Sequence, residues 1–298
     1  MGIWALFWMF VIYVAILLIL AKTSKVGKQI SMYVFLISIV FLMVFPFYSM
    51  FVMSTHATHN IFSFPPPLWF GDNLIENFHS VMASVNFSQA FLNSVIVSVS
   101  FTALVLLFCS MGGYAFAIYR FPGRDILFTV LLITMMIPWT AGIIPWFIMM
   151  SRFGWIDTFY ALIIPGSANA FGIFWMRQYC TNNVPTTLME AAKLDGCSEW
   201  LIFFRVIAPI LKPAFAALGI MQFVGVWNDF MMPLLILRSS HMHTLPLMLR
   251  FLHGDPVRGT DIGALMLAST FVVLPLLVVF LCASKMFMSG LTAGAIKE

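Results

Sequence analysis

An all-α membrane protein is the fold class this sequence predicts, and three observations predict it. Hydrophobic residues make up 62% of the 298 positions and charged residues only 9%, against about 25% charged in an ordinary soluble chain. The apolar residues gather into blocks of about 20, the length that crosses a hydrocarbon core of roughly 30 Å as a helix, and backbone in lipid has to pair internally. The basic residues fall mostly in alternate loops, which is how cytoplasmic segments are marked. A net charge of +4 on such a chain does not call for nucleic acid.

The first apolar run, Ile3 to Leu20, is followed by Lys22, Lys25 and Lys28. A signal peptide carries its positive charge before the apolar region and offers a small-residue cleavage site. Segment 1–29 is therefore expected to be a retained helix with its N-terminus outside and a basic cytoplasmic linker; an uncleaved leader lying on the surface is the alternative. Ser31 to Met53 is the second span. Loop 54–86 is long and rich in turn residues, and Pro65-Pro66-Pro67 favours extended polyproline geometry, which predicts a stiff external lid with a short helix near Leu74 to Val85.

Phe87 to Tyr119 is too long for one perpendicular span and is expected to tilt or protrude, with Gly112-Gly113 allowing close helix contact. Arg120 to Asp125 make a compact cytoplasmic turn. Ile126 to Met150 follows, with kinks expected at Pro138 and Pro145. After a short outer loop, Phe159 to Tyr179 returns inward, broken at Pro165-Gly166. A polar insert at 185–213 precedes Ala214 to Leu237, an external loop at 238–261, Ile262 to Ser284, and a cytoplasmic tail at 285–298. This order places eleven of the fifteen basic residues inside, with Arg152, Arg238, Arg250 and Arg258 the exceptions. That bias fits seven spans, N-terminus out and C-terminus in.

The insert at 185–213 is helix-forming and polar between two apolar blocks. Thr187 and Glu190 fit a capping box, Leu188 to Leu194 are good helix formers, and Gly196 suits a left-handed stop. Ser198 can cap a second short helix that Pro209 and Pro213 bring to an end. A helix–bend–helix knob outside the bilayer results, with small Ala191 and Ala192 permitting close approach to a neighbour.

Glu190-Ala191-Ala192, Asp195-Gly196, then Ile207 and Pro209 resemble the EAA loop of the membrane subunits of bacterial ABC importers. Arg177-Gln178-Tyr179, Trp227-Asn228-Asp229 and the run Gly290-Leu291-Thr292-Ala293-Gly294-Ala295-Ile296-Lys297 are similar to the maltose-type carbohydrate permeases. The resemblance covers roughly residues 31 to 298; Ala208 stands where the family usually carries Leu, a mild change in local packing. It implies a type I ABC importer permease fold of six core helices over 30–298, to which the segment 1–29 adds one more helix, in the bacterial cytoplasmic (inner) membrane. It also implies the partners: a second homologous permease, two ABC ATPase subunits, an extracytoplasmic solute-binding protein and a carbohydrate substrate, besides membrane lipid.

Residue roles follow from the same resemblance. Glu190, Ala191, Ala192, Asp195, Gly196 and Pro209 would couple to the ATPase, with Glu190 meeting a basic residue there. Gly290, Leu291, Thr292 and Gly294 would run along the ATPase interface. His253, Gly254, Asp255 and Pro256 lie where the family has a scoop reaching into the binding protein, and Gly254-Asp255-Pro256 is turn-forming. No cofactor is expected on this chain; ATP and Mg belong to the ATPase partners.

Asp229 is the one acid placed within a span, and intramembrane carboxylates usually face a cavity or a partner. With Trp227 and Asn228 it could line the translocation path, offering an aromatic face and hydrogen-bonding groups to a sugar. Equally, Asp229 and Asn228 could bond across helices or to backbone freed near Pro233. His241-x-His243 reads as polar loop residues at the membrane interface rather than a metal site. Cys109, Cys180, Cys197 and Cys282 lack paired spacing. No phosphate-cradling glycine–lysine loop, H-E-x-x-H or G-x-S-x-G occurs, so ATP hydrolysis is expected on a separate protein. Two rivals remain: an ABC permease for a polyamine or glycerol phosphate ester, and an ion-gradient carrier, the second weakened by the lack of an inverted repeat.

Overall fold

The computed structural model describes residues 22, 24–252 and 261–292, with side chains through 282. The first expected span at 3–20 and the loop residues His253, Gly254, Asp255 and Pro256 lie outside the described residues, as does Gly294. Two compact units emerge: residues up to Phe78 with Asp261–Thr270, and His79 onward with Phe271 and the residues after it.

In the first unit, helix α1 spans Lys25–Met53, with Ser24 capping it through its hydroxyl to the Gly27 amide at 3.0 Å. Most of its apolar side chains point outward, as suits a helix among lipid tails. The loop after it is held by polar groups. Asn77, buried at the start of α2 (Leu74–Ser84), donates to the carbonyls of Ser54 at 2.8 Å and His56 at 3.0 Å. Asp261 accepts from the Thr58 hydroxyl at 3.0 Å, and that hydroxyl accepts from the Ile262 amide at 3.0 Å.

The second unit is built on α3, Phe87–Ile118. It packs along α6, Ala170–Asn183, at backbone contact. A β-carbon added to Gly113 would sit 2.5 Å from Met176 Cβ and 2.6 Å from the Arg177 amide, and one added to Gly172 would meet Cys109 Sγ at 2.6 Å. Small residues thus do here what they do between membrane helices generally, bringing main chains together. Between these two helices in sequence, α4 (Arg124–Met135) and α5 (Ile143–Arg152) are joined through a 3-10 turn at Trp139–Gly142. The two arms are bent by 93°. The break falls at Pro138. Pro145 makes no kink because it sits in the first turn of α5, where its missing N–H has no partner to lose.

The expected helix 159–179 is likewise interrupted at Pro165-Gly166: a turn at Tyr160–Ile163 is followed by α6, whose Asn169 cap accepts from the Gly172 amide at 2.8 Å. Beyond the polar insert, α9 (Lys212–Trp227) stops at Trp227 and the chain turns helical again only at α10, Met231–Ile236. Helix α11 covers Leu245–Leu252 and α12 covers Ile262–Thr292. The helix therefore continues through the start of the segment read as a tail, and Gly290, Leu291 and Thr292 belong to its last turn. Among the described residues three helices (α1, α3 and α12) are individually long and apolar enough to cross a membrane, and up to five spans result if each of two bent pairs counts as one.

Candidate functional site

The polar insert folds as two short helices, α7 (Thr186–Leu194) and α8 (Glu199–Ile202). Thr187 does not cap α7. The helix begins at Thr186, two residues before the start a Thr187 cap would give, behind Pro185, whose extended backbone and locked φ of −68° set the entry and whose carbonyl accepts the Leu188 amide. Glu190 consequently lies too deep in the helix to reach back to the cap.

At the other end Gly196 takes φ +76°. Its amide donates to the Lys193 carbonyl, and the Cys197 amide to the Ala192 carbonyl, each at 3.0 Å. This pair of bonds is a Schellman stop, which needs a residue that tolerates left-handed backbone. Ser198 then caps α8 by accepting from the Leu201 amide at 3.4 Å. The second arm widens into a π turn at Phe203–Ile207 before Ala208–Ile210. Pro209 explains it: lacking an N–H, it cannot bond to the carbonyl four residues back, and the wide turn absorbs the ring. The arm meets α9 at a bend of 79°.

One face of the insert is anchored. Met189 and Ala192 are buried with Ile202, Phe203 and Ile207 in a core shared with Tyr114, Met176 and Cys180. Tyr114 donates to the Met189 thioether at 3.7 Å. Lys193 pairs with Glu199 at 2.7 Å, and Tyr119, at the end of α3, donates its hydroxyl to the same carboxylate. Lys193, and secondarily the Tyr119 hydroxyl, hold Glu199 below the usual carboxylate range. Burial first, then the Glu199 carboxylate, pushes Tyr119 above the usual phenol range.

The opposite face is open. Glu190, Ala191, Asp195 and Gly196 are exposed, and Leu194 is 89% exposed. Glu190 makes no ion pair or hydrogen bond among the described residues. The two alanines divide: Ala192 faces the core and Ala191 faces out.

The Trp227-Asn228-Asp229 trio sits at the break between α9 and α10, and its members have separate surroundings. Trp227 is 1% exposed; its Nε1 donates to the Val272 carbonyl at 3.0 Å and its ring stacks on Phe223 at 5.5 Å. Asn228 is exposed and donates back to the Val224 carbonyl at 2.9 Å. Asp229 Oδ1 accepts from the amides of Met231 at 3.0 Å and Met232 at 3.3 Å, capping α10. It also lines a cavity of about 230 Å³ together with Ser94, Ser98, Phe101, Trp146 and Thr244. These companions escaped the sequence reading because they come from stretches up to 150 residues apart, and no local pattern marks them.

Nearby, Asp157 accepts from the amides of Arg238 at 2.9 Å and Ser239 at 3.0 Å, and the Ser239 hydroxyl, the largest cause, holds it below the usual carboxylate range. Asn93 donates to the carbonyls of His241 and His243 at 2.8 and 2.9 Å, and the His243 ring stacks on Phe251 at 4.8 Å. Among the described residues no group of three His, Cys, Asp or Glu side chains is arranged to hold a metal ion.

Residues 110–292 match the family model of the binding-protein-dependent transport system inner membrane component. The chain is 40% identical over 207 residues to the arabinooligosaccharides transport system permease protein of Bacillus subtilis strain 168, covering 70% of this chain and 73% of that one. It is 35% identical over 257 residues to the lactose transport system permease protein of Rhizobium radiobacter, covering 86% and 92%. Its fold matches the crystal structure of a bacterial ABC transporter involved in the import of the acidic polysaccharide alginate, with a TM-score of 0.78 at 21% identity over 89% of this chain and 98% of that one.

Proposed function

This chain belongs to the family of binding-protein-dependent transport system inner membrane components, multi-pass membrane proteins, and we propose that it is the permease subunit of an ATP-driven importer for an oligosaccharide or related carbohydrate. The relatives named for arabinooligosaccharides and lactose support the substrate class. In this reading the chain pairs with a second permease, two ABC ATPase subunits carrying ATP and Mg, and an extracytoplasmic binding protein. It hydrolyses nothing itself.

One observation carries the mechanism: Glu190 stands exposed, and unpaired among the described residues, on a helix whose other face is locked into the core through Met189 and Ala192. A stiff, capped helix transmits displacement where a loose loop would absorb it. Closure of the ATPase pair on ATP would pull on Glu190, Ala191 and Asp195, move the insert, and through the 79° joint at Leu211 shift α9 and the helices packed on it. The transported solute would then meet an outward-open path, and hydrolysis would reset it. A ligand can shift such an equilibrium only by contacting the two states differently, and a docked lever supplies that difference. The segment ending in Gly290, Leu291, Thr292 and Gly294 would lie along the ATPases, and the loop with His253, Gly254, Asp255 and Pro256 would face the binding protein.

The test is the complete transporter in proteoliposomes with Glu190→Lys or Gly196→Pro. Proline cannot adopt φ +76° and has no amide for the Lys193 carbonyl. Both variants are expected to insert and assemble, yet to lose most solute-stimulated ATP hydrolysis and uptake. Normal stimulation in both would remove the lever.

A further inference from the structure

The cavity beside Asp229 is not explained by the lever, and its chemistry is specific. Asp229 uses only Oδ1 on backbone amides; Oδ2 has no hydrogen-bond partner among the described residues. Among the described residues no Lys or Arg lines the cavity, and Asp229 forms no ion pair with any of them. Thr244 is 4% exposed, and its Oγ1 is buried without a hydrogen-bond partner among the described residues. A buried hydroxyl left unpaired in a native structure calls for an explanation, and a bound ligand is one. Trp146 and Phe101 add aromatic surface on which the C–H face of a sugar ring can lie. A mostly apolar cavity with a few convergent polar groups is the usual form of a small-molecule site.

We propose that this cavity binds one ring of a neutral sugar within this subunit, with Asp229 Oδ2 and Thr244 Oγ1 as its hydrogen-bonding partners, and that Asp229 turns anionic sugars away. This rests on the carbohydrate reading above and narrows it. The volume of about 230 Å³ lies below the ~300–1,000 Å³ of pockets for drug-sized ligands, which suits a single ring. Sugar hydroxyls donate to a carboxylate in strong, charge-assisted bonds. A uronate or phosphate placed there meets a like charge with no cation between: at about 5 Å and an effective dielectric near 20, the repulsion corresponds to on the order of a hundredfold in affinity.

The experiment uses the complete transporter. Uptake of radiolabelled arabinotriose and lactose into proteoliposomes with the binding protein is measured first; uptake of neither overturns the carbohydrate reading and this inference together. With uptake present, occupancy by the imported sugar is measured on the complex arrested with ATP and vanadate, with trigalacturonate as competitor. Thr244→Val is expected to weaken occupancy about tenfold while Thr244→Ser keeps it. Asp229→Asn, which retains the capping oxygen, is expected to weaken the neutral sugar and let trigalacturonate compete at least tenfold better. Uptake with unchanged occupancy and selectivity in Thr244→Val and Asp229→Asn would overturn the cavity assignment and leave the transport function standing.

Discussion

Gly113→Ala tests whether the transporter's central seam is held at main-chain contact. The new methyl would stand 2.5 Å from Met176 Cβ, 2.6 Å from the Arg177 amide nitrogen and 2.8 Å from the Met176 carbonyl carbon. Ordinary contact starts near 3.4 Å, so α3 and α6 must separate by about 0.9 Å. Two of the three obstacles are backbone atoms, which cannot swing aside. Gaps of about 0.5–1 Å forfeit a quarter to a half of each dispersion well along the seam, and overpacking costs about 1–3 kcal/mol. The upper end, about 3 kcal/mol, is the expected loss. At ~2–4 °C per kcal/mol for a domain of comparable size, the unfolding midpoint of the purified complex should fall by roughly 6–12 °C, read by intrinsic fluorescence on heating in detergent. Gly225→Ala is the control: nothing lies within 4 Å of its added methyl, and alanine in α9 gains up to about 1 kcal/mol of helix propensity. A Gly113→Ala midpoint within 2 °C of the wild type would refute the close-contact reasoning, since no main-chain clash of this size can be absorbed so cheaply.

Trp227→Phe keeps the ring contacts with Phe223 and Phe91 but removes the donor to the Val272 carbonyl; it should cost about 1–3 kcal/mol in thermal unfolding and leave sugar selectivity unchanged, whereas altered selectivity would put Trp227 in contact with solute. For Glu199, whose folded value lies below the usual ~4.5, the stabilisation is present above the unfolded value and lost as pH falls through the folded one. Between about pH 6 and 3 the wild type's unfolding midpoint should therefore drop more steeply than that of Glu199→Gln, and parallel curves would count against the Lys193–Glu199–Tyr119 anchor.

Much of this was legible along the chain, and for local reasons. Apolar block length sets helix existence, so α3 and α12 begin where composition changes, while α1 already starts at Lys25, in the basic run before the apolar block expected from Ser31. Gly196 stops α7 because a left-handed residue is needed within a few positions of the helix end. Pro138 and Pro165-Gly166 break helices because each proline removes an amide from its own turn. Thr187 misled for an equally local reason: Pro185 competes for the helix start and wins by its locked φ. The polar insert was recognisable because its signature residues lie within 20 positions of one another in the sequence.

The sequence by itself determined the class of molecule, the positions of its helices and breaks, and the insert that carries Glu190, because hydropathy, proline and glycine act over one or two turns. Tertiary structure alone decided what those pieces do together. It separated Trp227 from Asp229, though they are two residues apart, by ending α9 between them. It brought Tyr119 to Glu199 across 80 positions, and it set Ser98, Asp229 and Thr244 around one cavity. Such meetings depend on how helices cross, which depends on where a glycine lets two backbones touch, and no run of neighbouring residues contains that information.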